Sequence, residues 1–348
     1  MGLQISEIIP KQEITIESLK NKIIVVDAFN AIYQFLTTIR QPDGTPLIDS
    51  KQRVTSHLSG LFYRNMNLLI QGIKLVYVFD GEPPELKELT HKSREGVKVK
   101  ALEKYREARE SGEIEEMAKY ARQVAKLDEI MVEESKQLLH ALGVPVIQAP
   151  GEGEAQAAFM ARIDKRIYAV ASQDYDALLF GTPRLVQNLT LAKKRKLASG
   201  AFVPVQPELI ELERVLNILQ ISHDQLISLG ILVGTDYNPG GIKGIGQKKA
   251  LGLVKQYRQP AIIFKSIEKQ LKERGVDIEF DWQEIFSLFR NPKVTKDYEL
   301  KFEKPNYEKI FEILCEEHDF SKERVENALQ KLAKQQKAAT QSELNRWF

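Results

Sequence analysis

Three short stretches of the chain are apolar without interruption. Ile23-Ile24-Val25-Val26 stops at Asp27, Leu75-Val76-Tyr77-Val78-Phe79 stops at Asp80-Gly81, and Tyr168-Ala169-Val170-Ala171 runs into Ser172-Gln173-Asp174. A strand with one wet face alternates apolar and polar residues, so a run that does not alternate predicts a strand covered on both faces, as in parallel sheets. Between these runs apolar positions recur at helical spacing, over 53–71, 130–142 and 154–164. Strand alternating with helix predicts an α/β core. Residues 205–274 read as short helices around a Gly-rich turn, and 306–335 as one or two more helices with Ser321 as an N-cap. The tail from Gln335 is polar until its last residues.

In open α/β sheets the functional crevice lies beyond the carboxyl ends of the strands. One aspartate after a strand is an ordinary turn former. Asp27, Asp80 and Asp174, each closing a buried strand, predict a shared site instead. Two acidic pairs join them: Glu152 and Glu154 in Gly151-Glu152-Gly153-Glu154, and Asp174 with Asp176. Residues two apart share a side of an extended chain but face nearly opposite sides of a helix, so each pair predicts an extended or looped backbone. Asp236, in Gly234-Thr235-Asp236-Tyr237, completes the set. Seven carboxylates in one pocket cannot all stay ionised without cations. All-oxygen donors favour magnesium or manganese over zinc, and two ions ~4 Å apart suit hydrolysis of a phosphodiester. Lys87 and Arg94, seven apart, fall two helical turns apart on nearly one face, placed to meet the phosphate.

Charge sharpens this picture only through its placement. The 348 residues carry 50 Lys and Arg against 48 Asp and Glu, a net charge of +2. Such a sum hides a basic groove beside an acidic pocket. Gly240-Gly241-Ile242-Lys243-Gly244-Ile245-Gly246-Gln247-Lys248-Lys249 opens a helix with small residues and lysines, a sequence-independent mode of gripping phosphates. Lys193-Lys194-Arg195-Lys196 is a second basic run, on a predicted hairpin turning near Ser199-Gly200. Between Lys87 and Lys126 stand eleven Lys and Arg and eight Glu, with few large apolar groups. The single cysteine, Cys315, excludes an internal disulfide and fits a reducing, intracellular setting. No apolar stretch approaches the ~20 residues that span a bilayer. Met1-Gly2-Leu3-Gln4-Ile5-Ser6 fits an acylation pattern, but no basic cluster follows to make an anchor of it.

Together these strings resemble the flap endonucleases of archaeal type, within the structure-specific 5′ nucleases. The likeness rests on Val25-Val26-Asp27-Ala28, Val78-Phe79-Asp80-Gly81 with Pro83-Pro84, Ala149-Pro150-Gly151-Glu152-Gly153-Glu154-Ala155, Ser172-Gln173-Asp174-Tyr175-Asp176 and Gly234-Thr235-Asp236-Tyr237. The resemblance implies a mixed, largely parallel central sheet between helical layers. It implies an N-terminal nuclease region at 1–98, an arch segment at 99–115, an intermediate region at 116–258 with a helix–two-turn–helix, and a C-terminal helical region at 259–339. By resemblance Asp27, Asp80, Glu152 and Glu154 serve one magnesium, and Asp174, Asp176 and Asp236 a second. Lys87 and Arg94 match the catalytic basic pair at the base of the arch. Gly2, Tyr33, Arg40, Arg64, Glu152, Gly234, Asp236, Gly244, Gly246, Lys248 and Lys249 match DNA-contacting positions, and the Gly-rich turn implies a potassium site.

The last residues, Gln341, Leu344, Trp347 and Phe348, are spaced for one helical turn with an apolar face. They resemble the peptide that docks on the PCNA sliding clamp, in a tail at 340–348. The implied activity is magnesium-dependent 5′-flap endonuclease and 5′–3′ exonuclease cleavage of branched DNA in Okazaki fragment maturation and base excision repair. The expected setting is cytoplasmic and nucleoid-associated, with the chain monomeric on its own. The competing reading is a clamp-tethered DNA-binding scaffold without catalysis. Against it, duplex binding gains nothing from concentrated negative charge.

Overall fold

The structure, a computed structural model, describes residues 3–41, 43–84, 86–87, 126–190, 194–196, 202–273 and 278–344, with isolated positions between 103 and 120. Its centre is a sheet of seven strands in the order β1-β9-β6-β5-β2-β3-β4. These are β1 (Gln12–Glu13), β2 (Ile23–Asp27), β3 (Lys74–Phe79), β4 (Val146–Gln148), β5 (Ile167–Ala171), β6 (Arg184–Gln187) and β9 (Glu208–Glu211). The five strands from β6 to β4 pair in parallel, and β9 and β1 close one edge antiparallel. The sheet is therefore mixed and largely parallel, as expected. Strand β9 falls inside 205–274, which the sequence pattern reads as helical only.

The uninterrupted apolar runs lie at the centre, with Val25 paired to Val76 on one side and Val170 on the other. Side chains alternate across a strand, so each run serves two cores. Ile24, Val26, Leu75, Tyr77 and Phe79 pack with helices α1 (Ala28–Thr38) and α2 (Ser56–Ile70), while Val25, Val76, Val78 and Val170 pack on the opposite face. Helix α3 (Glu129–Ala141) joins the first layer, and α4 (Gly153–Ile163) supplies Ala157 and Met160 to the second. A third cluster holds five further helices around the short α5 (Asp176–Leu179). These are α6 (Leu212–Leu219), α7 (His223–Val233), α8 (Gln247–Tyr257), α9 (Pro260–Lys272) and α10 (Trp282–Arg290). A small hairpin of β7 (Lys194–Lys196) and β8 (Phe202–Pro204) stands apart from the sheet, and the expected turn at Ser199-Gly200 lies outside the described residues.

The C-terminal part returns to α2 through α11 (Tyr307–Phe311), a π-helical turn (Glu312–Glu317) and α12 (Lys322–Leu344). Ser321 caps α12, its Oγ accepting from Arg324 N at 3.4 Å. A buried histidine–carboxylate network ties this return to α2 and α3. His318 Nε2 stands 3.3 Å from Glu134 Oε1, His57 Nε2 lies 3.0 Å from Glu134 Oε2, and His318 Nδ1 is 3.3 Å from Asp49 Oδ2. Burial alone would raise the Glu134 carboxyl, but its contacts with His318 and His57 outweigh burial and hold it at about 2. Helix α12 runs further than the polar tail suggested. Its last turns, Lys334 to Leu344, contain no glycine or proline and are mostly Ala, Lys, Gln, Glu and Leu, all strong helix formers.

Candidate active site

The carboxyl ends of the parallel strands and the starts of three helices meet in one place. Asp27 ends β2 and also caps α1, its Oδ1 accepting from Asn30 N at 3.1 Å. Asp80 follows β3, and its Oδ1 accepts from Gly153 N, the first residue of α4, at 2.6 Å. A side chain at Gly153 would bring its Cβ within 2.6 Å of Asp80 Oδ1, so only glycine lets that helix start approach the strand end. Glu154, one residue further, turns to the next strand. Its Oε1 accepts from Ala177 N at 3.1 Å and from Ser172 Oγ at 3.3 Å. Asp174 Oδ1 accepts from Leu3 N at 3.2 Å, which draws the chain's first described residue to the site. Asp176 opens α5. The N-termini of α1, α4 and α5 thus all point positive dipole ends at the acids.

The acidic pairs converge differently from the expectation of plain extended or looped chain. Glu152 is extended at the N-cap position of α4, with φ −77° and ψ 134°, while Glu154 is already in its first turn. Asp174 and Asp176 likewise straddle the start of α5. A helix boundary changes the chain direction between the two members, so both reach the pocket although one of each pair is helical.

Electrostatics confirm the proximity of the group. Burial pushes Asp27 up from 3.8 to about 7, with the charge of Asp80 next in importance and that of Asp174 adding to it. Burial raises Glu152 to about 8, with help from Asp80, Asp236 and Asp27. Glu154 is raised well above its ordinary value by burial and then by Asp174, Asp176 and Asp27; Asp176 is raised as strongly by burial, Asp174 and Asp236. Asp80 and Asp174 are also raised, chiefly by burial. Asp27, Glu152, Glu154, Asp174 and Asp176 therefore each feel other acids of the set. Lys87 is the countercharge, contacting Glu152 Oε1 and standing 4.0 Å from Asp236 Oδ2.

No three acidic, histidine or cysteine side chains among the described residues already form a closed metal cage. The donor chemistry nevertheless fits divalent cations. All donors are carboxylate oxygens, their mutual repulsion is met among the described residues by Lys87, backbone N–H groups and the hydroxyls of Ser172 and Tyr237, and Asp176 Oδ1 is buried with no hydrogen-bond partner there. Pockets of this kind are satisfied by hard cations, and rotation of carboxylates off the N–H groups would open their lone pairs.

The other singled-out positions divide into three groups. Tyr33 is 37% exposed on α1, and Arg64 is half-buried on α2, where burial lowers its pKa. Arg40 is engaged locally, donating from Nε to Leu36 O at 2.8 Å and from Nη1 to Gly44 O at 2.8 Å. On the Gly-rich turn, Gly244 and Gly246 face open space, Lys248 Nζ is 3.2 Å from Glu7 Oε2, and Lys249 Nζ donates to Gly244 O at 3.3 Å. Gly234 has φ +113°, and a Cβ there would meet Gly241 N at 2.5 Å, so that closure is reserved for glycine. Gln341 and Leu344 lie on the backbone of α12. Gly2, Arg94, Trp347 and Phe348, and nearly all of the arch segment, fall outside the described residues. Two site residues were missed from sequence, Ser172 and Tyr237. Ser172 bridges, donating to Glu154 and accepting from Asp174 N at 3.1 Å, while the Tyr237 hydroxyl donates to Glu152 Oε2. Their only signal was adjacency to Asp174 and Asp236.

Family models match the chain over residues 2–101 (XPG N-terminal domain) and 143–236 (XPG I-region). The flap endonuclease 1 of Thermococcus onnurineus is 54% identical to it, over 100% of this chain and 99% of that relative. The chain belongs to the flap endonuclease 1 family. The flap endonuclease 1 of Aeropyrum pernix is 50% identical, with 100% of both chains covered. Among solved structures, the flap endonuclease-1 of Methanococcus jannaschii superposes with a TM-score of 0.75 at 45% identity, over 96% of this chain and 98% of that one. The catalytic core of Rad2 in complex with DNA substrate shares the fold, with a TM-score of 0.70 at 23% identity over 92% of this chain and 96% of that one. Flap endonucleases are metal-dependent nucleases that hydrolyse phosphodiester bonds.

Proposed function

We propose that the chain binds branched DNA and cuts it at the base of 5′ flaps, with 5′–3′ exonuclease activity at nicks. The observation that carries this reading is the convergence of seven carboxylates, around Lys87, at the carboxyl edge of the sheet. Duplex binding would be weakened by such a concentration of negative charge, whereas phosphodiester hydrolysis needs it to assemble cations. Asp27, Asp80, Glu152 and Glu154 would hold one magnesium or manganese ion, and Asp174, Asp176 and Asp236 a second. Bound ions would supply a nucleophilic water at neutral pH and neutralise charge on the phosphate oxygens.

The chain's own residues do the rest. Lys87, against Glu152 here, would turn to the scissile phosphate once the carboxylates hold cations, and Arg94 would join it from the base of the arch. Gly244, Gly246, Lys248 and Lys249 take duplex phosphates on the turn opening α8, with a potassium ion as a further bridge. Tyr33, Arg40 and Arg64, on or just beyond α1 and α2, would contact the DNA. The C-terminal Gln341, Leu344, Trp347 and Phe348 dock on the PCNA clamp, which places a chain monomeric on its own at replication and repair intermediates.

A double-flap substrate labelled on the 5′-flap strand tests this. Magnesium should give a single cut one nucleotide into the duplex, and EDTA none. Cuts scattered through the duplex, or undiminished cutting in EDTA, would refute the reading.

A further inference from the structure

The carboxylate cluster and the duplex-binding turn meet at Tyr237. This residue is 5% exposed, and three of its features are in use at once. Its hydroxyl donates to Glu152 Oε2, while Lys87 takes the other oxygen, Oε1. The face of its ring lies 5.8 Å from Lys87 Nζ. The ring packs edge-on against Phe289 of α10, with centroids 5.2 Å apart, and Phe289 leans in turn on Phe180 at 4.8 Å.

The backbone that carries Tyr237 is tightly fixed. Tyr237 N donates to Thr235 Oγ1 at 3.2 Å, and Asn238 Oδ1 accepts from Thr235 N at 3.1 Å and from Thr235 Oγ1 at 2.7 Å. Asn238 Nδ2 donates to Ile231 O at 2.7 Å, back in α7. The same loop then closes the Gly-rich turn, with Gly241 N donating to Asn238 O at 3.0 Å and Ile242 N to Leu232 O at 2.9 Å. One rigid loop therefore carries Asp236 and Tyr237 into the acidic pocket and forms the start of the turn that leads to Gly244 and Gly246.

We propose that Tyr237 is a positioning residue of the reaction: it fixes Glu152 through one oxygen while Lys87 leaves the other for the phosphate. A buried phenol keeps its hydrogen bond because losing it strands a polar group. The charge–ring contact is weaker and is surrendered when Lys87 moves. Glu152 is thus held on its tether to the duplex-binding loop whether or not Lys87 is in place. The inference rests on the functional reading above.

The test is Tyr237→Phe in the full chain, which keeps the ring against Phe289 and Lys87 and removes only the hydroxyl. Single-turnover cleavage of the double flap at saturating enzyme should fall roughly 10–100-fold, the usual loss when the group orienting a metal-binding carboxylate is removed. The dissociation constant for the same DNA in EDTA should stay within about twofold, because ground-state binding is not the function assigned to the hydroxyl. The magnesium concentration at half-maximal rise of the melting temperature, read without DNA, should increase severalfold. A magnesium midpoint that stays within about twofold of the native chain would overturn the inference, as would a loss confined to DNA affinity. The melting readout is independent of the substrate. Failure of the native chain to cut flaps would defeat the functional reading, whereas an unmoved magnesium midpoint in Tyr237→Phe defeats this one.

Discussion

Replacing Asp27 by Asn should stabilise the metal-free protein at alkaline pH and leave it nearly unchanged in acid. Asp27 is 8% exposed, and burial with the Asp80 charge lifts its carboxyl from 3.8 to about 7. In the window between those values the folded chain holds a proton that the unfolded chain has released, so stability falls as pH rises. Below 3.8 both states are protonated and nothing is lost; above about 7 the full cost is present. At about 1.4 kcal/mol per pH unit the gap amounts to roughly 4 kcal/mol.

Asparagine removes the charge yet still accepts the 3.1 Å hydrogen bond from Asn30 N that caps α1. At ~2 °C per kcal/mol for a chain of this size, the variant should melt about 8 °C higher at pH 8 in EDTA. At pH 4.5 the difference should shrink to about 2 °C. Adding magnesium should raise the melting temperature of the native chain more than that of the variant, closing or reversing the gap, and the variant should lose cleavage. Differential scanning calorimetry at the two pH values, with and without magnesium, decides it. A variant no more stable than the native chain at pH 8, or shifted equally at both pH values, would refute the account of Asp27 as a charge held in reserve for a cation.

Asp174→Ala should reduce single-turnover cleavage by at least about 1000-fold while flap binding in EDTA persists, as measured by fluorescence anisotropy. Lys249→Ala, on the exposed turn, should weaken duplex binding uniformly across sequences and lower the slope of log affinity against log salt by about 1. Glu134→Ala leaves buried His57 and His318 without their shared carboxylate and should cost roughly 3 kcal/mol, read from the midpoint of urea unfolding with the m-value unchanged.

Much of the frame was present in local pattern. The three unalternating runs specify strands covered on both faces, because only a buried position on each side of the pleat makes every residue apolar. The strand-end aspartates follow from the same logic, since side chains at the carboxyl edge project into the crevice between helices. Strand β9 was not legible. Glu208–Glu211 is four residues with acids at both ends, and only pairing with β6 and β1 makes it a strand. The length of α12 was masked by its polar surface, although its composition favoured a helix throughout.

The sequence by itself determined which residues could ionise, which runs must be buried and which glycines free the backbone, because those follow from side-chain chemistry and period. Tertiary structure alone decided that Glu152 faces Lys87 and Tyr237 while Glu154 faces Ser172, and that Asp27 is charged only at a cost. Such facts depend on the dielectric and the neighbours that folding creates from residues 18 to 85 positions apart, and no local pattern encodes them.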